Sequence, residues 1–66
     1  MKVGDKVFCK DVWGEYTGWI ASIDDSLPYP YSVVEDMEHI GKTYFELSDK
    51  YNSGFKVYEL EDLTLL

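Results

Sequence analysis

The residues that most restrict this chain are its backbone breakers and the short intervals between them. Gly4, Gly14, Gly18, Pro28, Pro30, Gly41 and Gly54 punctuate its 66 residues, and no long helical period runs between them. Pro28 and Pro30 each lack a backbone donor and push Leu27 and Tyr29 into extended geometry, so Ser26 to Pro30 is expected to be a rigid bend. The segments on either side read as short strands. Gly4-Asp5 is a turn leading into Val7-Phe8-Cys9, and "DVWGEYTG" is a loop that presents Trp13 and Tyr16. "WIASID" is a second strand with ambiguous alternation. A bulge that turns both Ile20 and Ile23 inward resolves it. After the bend, "YSVV" is a third strand and "EDMEHIGK" a polar loop containing a solvated His39. "TYFELS" alternates as a fourth strand with Phe45 and Leu47 inward, Asn52-Ser53-Gly54 supplies a hairpin turn, and "FKVY" is the fifth strand. Leu60, Leu63 and Leu66 recur every third residue, which suits one helical turn before a terminal extended "TLL".

A chain of 66 residues buries only about 60% of the surface it exposes unfolded, so residues 1–66 are expected to form one domain. Its eleven aromatic residues must supply much of the packing, because each large ring buries roughly 150–250 Å². Cys9 is the one cysteine, so no internal disulfide can form, and it reads as a small buried hydrophobe. With no signal-peptide or membrane-length apolar stretch, a soluble cytoplasmic protein without membrane contact is expected.

The net charge is −7 and is unevenly spread. The first ten residues hold Lys2, Lys6 and Lys10 against Asp5, whereas the remainder sets twelve acids against Lys42, Lys50 and Lys56. There is no arginine, the usual reader of phosphate and guanine edges, and the acidic field repels a polyanion. Direct nucleic-acid binding is not expected; a partner protein with a basic surface is.

The segments "KVGDKVFCK", "GEYTGWIASID" and "YPYSVV", with the closing "FKVYELEDLTLL", resemble Src-homology-3-like small barrels of the KOW and Tudor type. The likeness extends to small phage-encoded accessory proteins. It implies an all-β chain forming a single five-stranded antiparallel barrel with a short helical turn near the C-terminus. In Tudor-type barrels, rings around a cationic ligand come from the first long loop and the neighbouring strand ends. The positions that correspond are Trp13 and Tyr16, with Tyr29 or Tyr31, and Asp24 or Asp25 as acidic neighbour. The same rings equally serve core and rim packing, since a barrel this small needs several aromatics to close.

No catalytic constellation is present. His39 and Cys9 lie thirty residues apart, and nothing supplies a convergent nucleophile, base and oxyanion donor. Asp24-Asp25 and Glu35-Asp36-Glu38 lack calcium-loop spacing and read as surface charge, so neither metal nor cofactor is expected. The leading expectation is a non-enzymatic protein-binding module that regulates or inhibits a larger protein through Trp13, Tyr16, Asp24, Asp25, Tyr29, Tyr31, Glu35 and Asp36. The alternative is an inhibitor that mimics nucleic acid, presenting Asp24, Asp25, Glu35, Asp36, Glu38, Glu59, Glu61 and Asp62 in place of phosphates. Exposed strand edges leave a homodimer open, unless Lys2, Lys6 and Lys56 blunt them.

Overall fold

The computed structural model describes residues 1–50 and 54–66. Five strands, β1 (Lys6–Asp11), β2 (Gly14–Ile23), β3 (Tyr31–Val34), β4 (Phe55–Tyr58) and β5 (Leu63–Leu65), form one antiparallel sheet in the order β4-β3-β2-β1-β5. A helix, α1 (Tyr44–Lys50), and two 3-10 turns, Met37–His39 and Leu60–Asp62, complete the described chain. The mostly-β architecture and the late helical turn agree with the sequence reading; the number of strands is also five, but "FKVY" is the fourth and the terminal Leu63–Leu65 the fifth. The sheet is not closed, and β4 and β5 remain its two edges.

The middle of β2 sets the curvature. Its first half pairs with β1 and its second half with β3, the two ladders meeting at Trp19. Gly18 stands at this handover with the backbone of Val34 so close that a side chain has no room. Two residues on, Ile20 faces Val33 but Ser22 faces Ser32, which leaves Ala21 as the extra residue of a bulge. The inserted residue inverts the alternation, so Ile20 and Ile23 reach the same core while Ala21 reaches the other face. That is the bulge expected from the sequence. The Ala21 carbonyl, displaced from the ladder, accepts a 2.8 Å hydrogen bond from the Gly41 amide.

Val33 and Val34 point to opposite faces, and each face has its own core. The larger joins Val7, Cys9, Ile20, Val33, Tyr58 and Leu63, with Tyr16, Ile23 and Tyr31 packed against it. The smaller joins Ala21, Val34 and Leu47, with Phe55 against it.

Leu47 arrives there on a helix, which corrects the strand expected for "TYFELS". Thr43 and Glu46 form a reciprocal cap: the Glu46 amide donates to Thr43 Oγ1 at 3.2 Å, and the Thr43 amide donates to Glu46 Oε1 at 3.3 Å. Leu47 is fully buried, but Phe45, expected inward beside it, is 64% exposed. A second correction concerns "DVWGEYTG", which is not a loop. β1 and β2 run on as a hairpin to the pair Asp11 and Gly14, leaving Val12 and Trp13 as its two-residue tip. Gly14, at φ 134°, takes the positive dihedral that the tip requires. The hairpin turn expected at Asn52-Ser53-Gly54 falls largely on residues 51–53, outside the described residues. Among the described residues, no helix is long and apolar enough to cross a membrane.

Candidate functional site

The tip of the β1–β2 hairpin is held by its own aspartate. Asp11 Oδ1 accepts the Trp13 amide at 2.9 Å, closing a local turn that leaves the indole 90% exposed. Across from it, the proline-bracketed bend presents Tyr29, 52% exposed. The bend is closed by its own hydrogen bonds. The Asp24 amide donates to the Pro30 carbonyl at 2.9 Å, and Asp24 Oδ1 accepts from both the Ser26 amide at 3.0 Å and the Ser26 hydroxyl at 2.6 Å.

Between these two rings lie adjoining depressions of about 430 and 480 Å³, both lined by Asp11, Trp13, Tyr29 and Val57. The hairpin adds Lys10 and Glu15, β4 adds Lys56 and Tyr58, and the cap and last residue of the second 3-10 turn add Glu59 and Asp62. Four carboxylates thus face two ammonium groups in one cleft. Negative charge is dense beside it. A hydrogen bond with the Glu61 carboxyl, slight burial and the charges of Glu61 and Asp62 raise the Glu59 carboxyl above its ordinary range.

Of the residues expected to bind a partner, the structure brings Trp13 and Tyr29 together and disperses the others. Tyr16 belongs to β2, half-buried against the larger core, with its hydroxyl buried and unpartnered and the protein's own Lys56 ammonium 5.7 Å from its ring centre. Burial, followed by the charges of Glu35 and Cys9, raises its phenol. Tyr31 packs on the same core from β3. A cage of all these rings therefore does not assemble. Asp24 is occupied in the bend, where the two Ser26 hydrogen bonds hold its carboxyl below the usual carboxylate range. Asp25 and Glu35 are exposed and line none of the described depressions. Asp36 caps the first 3-10 turn by accepting the Glu38 amide at 3.0 Å.

Asp11, Glu15 and Val57 were not singled out by sequence reasoning, and Glu59 and Asp62 entered only as phosphate-like acids. Asp11 and Glu15 flank Trp13 in the chain, so an aromatic hairpin tip between two acids was the signal available. Val57 offers none, because its place depends on how β4 meets the hairpin.

Asp36, Glu38 and His39 do gather, their ligand atoms within 4.8 Å of one another. His39 is half-buried here, not solvated as expected. Its Nδ1 lies 3.1 Å from Lys42 Nζ and its Nε2 3.6 Å from Glu38, so an ammonium already stands where a cation would be drawn. Cys9 is fully buried, and its thiol is pushed up to about 11, chiefly by burial. It is a poor nucleophile at neutral pH.

No family model, curated protein or solved structure matches this chain. What it can do chemically is therefore read from the cleft: two exposed ring faces, an apolar floor at Val57 and a rim of mostly negative charge. Such a surface favours a cationic side chain with apolar neighbours.

Proposed function

We propose that this chain is a non-enzymatic protein-binding module that docks onto a basic surface of a larger protein through the cleft between Trp13 and Tyr29, and so regulates or inhibits that protein. The observation that carries the proposal is the shared lining of one cleft by both rings and by Asp11, Glu15, Glu59 and Asp62. The strand order, the bulge in β2 and the 3-10 turn before β5 support reading the fold as an open Src-homology-3-like barrel. In that reading the cleft occupies the gap where the barrel would close.

The test is affinity capture from lysate at low and high salt with wild type, Trp13→Ala/Tyr29→Ala and Asp25→Asn/Glu35→Gln. The proposal expects one basic partner retained by wild type and by the variant remote from the cleft, and lost with the two rings. Capture of a nucleic-acid enzyme that ignores the ring variant, disappears at high salt and is displaced by DNA would overturn it in favour of nucleic-acid mimicry.

A further inference from the structure

Lys56, Val57 and Tyr58 are consecutive residues of β4, and all three line the cleft. Successive side chains of a strand leave it on opposite faces: Tyr58 belongs to the larger core, while Phe55, and Val57 with it by alternation, faces the smaller one. A depression lined by all three residues reaches the strand's backbone as well as side chains of both faces, which places it beside the strand's edge. β4 has β3 as its one neighbour in the sheet. Among the described residues, no backbone hydrogen bond outside that ladder involves Lys56, Val57 or Tyr58. On an edge strand, alternate residues direct both N–H and C=O away from the ladder. The cleft therefore combines the outward-directed backbone groups of a short edge strand with exposed rings and carboxylates.

We infer that the cleft receives an extended, lysine- or arginine-bearing segment of a partner protein as an added strand on the free edge of β4. This deepens the proposal above and rests on its reading of the cleft as a site for a basic protein. Main-chain hydrogen bonds to β4 supply affinity, and the pockets beside it select alternate side chains. One face of the added strand meets Trp13 and the acidic rim, where a basic side chain is favoured. Its other face runs past Val57 toward a hollow of about 150 Å³ lined also by Leu27, Pro28, Tyr29 and Tyr44, where an apolar side chain is favoured. The segment therefore alternates basic and apolar residues. Charge argues for such a partner over a second copy: pairing two β4 edges would bring together two chains of net charge −7, whereas a basic segment meets four cleft carboxylates against two ammonium groups.

The experiment titrates the full-length, nitrogen-15-labelled chain with short acetylated peptides that alternate Lys with Val. Each peptide is prepared unmodified and in two forms that carry N-methyl groups on one or the other set of alternate amides. N-methylation removes donors while leaving every side chain in place. The unmodified peptide is expected to shift the Trp13 indole and the β4 amides. One N-methyl form should bind like it and the other about tenfold more weakly or worse, because only one set of donors faces β4. Equal binding by both forms would show capture by side chains alone and overturn the added strand while leaving the basic-partner reading standing. An indole unmoved by any of the peptides would overturn both. A dimer in sedimentation, with its β4 amides protected from exchange, would assign the edge to a second copy and overturn the inference.

Discussion

Gly18→Ala is the sharpest test of how the sheet is bent. A β-carbon at Gly18 would fall inside the contact surface of the Val34 carbonyl oxygen and 3.0 Å from both the Val34 carbonyl carbon and Val33 Cγ1. A carbon meets a carbonyl oxygen comfortably at about 3.3 Å, so this overlap is severe. The obstacle is the backbone of β3, held in register by the Trp19–Val34 and Ile20–Val33 pairs, and it cannot rotate away as a side-chain end can. Overpacking typically costs about 1–3 kcal/mol, and a backbone obstacle places this case near the upper end. Restricting the unfolded chain returns about 0.5–1 kcal/mol, leaving a net loss of about 2–2.5 kcal/mol. A domain of this size has roughly 3–10 kcal/mol in total, and each kcal/mol moves its melting point by about 4–8 °C. The variant should therefore melt some 10–20 °C lower, followed by far-ultraviolet circular dichroism and tryptophan fluorescence. Gly54→Ala is the control. Its β-carbon meets nothing within 4 Å and its φ lies outside the positive region, so it should be neutral or stabilising by about 0.5 kcal/mol. If Gly18→Ala melts within about 0.5 kcal/mol of wild type, β2 and β3 do not approach as described and the reasoning fails.

Leu47→Ala should lose about 2–4 kcal/mol in urea unfolding because it empties the smaller core, whereas Phe45→Ser should stay within about 0.5 kcal/mol. Similar losses from both would restore the strand reading of "TYFELS", in which both side chains point inward. Cys9 should resist a thiol reagent at pH 8 until urea unfolds the chain; rapid labelling of the folded protein would contradict its burial. Its thiol moves from 9.0 to about 11 in the fold, so its contribution to stability is present below about pH 9 and is lost as pH rises through about 11. Tyr16 and Tyr58 are raised in the same direction, so urea midpoints should fall across the alkaline range. Trp13→Ala should leave the melting curve within about 0.5 kcal/mol of wild type while abolishing partner capture; a large drop in melting temperature would make the indole a structural residue.

Much of the sheet was legible because its signals are local. "VFC" and "FKVY" are short β-type runs beside turn residues, and Pro28 and Pro30 dictate a bend whatever surrounds them. The bulge was legible for a different reason: Ile20 and Ile23 cannot both be inside unless the period of two breaks between them. "TYFELS" misled because Phe45 and Leu47 satisfy that same period, while Leu47 alone is enough to dock a two-turn helix. The stronger signal was the capping pair Thr43 and Glu46, three residues apart, which only a helix start can use. At "DVWGEYTG", Gly14 and Gly18 read as loop punctuation, but their roles differ. Gly14 turns the chain at positive φ, and Gly18 lies within a strand where another backbone comes close.

The site was legible only in its rings, and the treatment of the acids explains why. Asp5, Asp11, Asp24 and Asp36 each accept a nearby backbone amide, so a good part of what looked like a free acidic surface is turn-building. Asp11 serves in both ways, fixing the Trp13 tip and lining the cleft. The grouping of Glu59 and Asp62 with Asp11 and Glu15 follows from the order β4-β3-β2-β1-β5. That order leaves the edge of β4 and the chain just beyond it lying across from the β1–β2 hairpin. No spacing along the chain encodes that proximity; it appears once β2 is shared between two ladders and the sheet coils around Gly18. The fold and the candidate site therefore depend on the same bend. A Gly18 variant that still folds but flattens the sheet should part Trp13 from Tyr29 and weaken binding even though it touches neither ring.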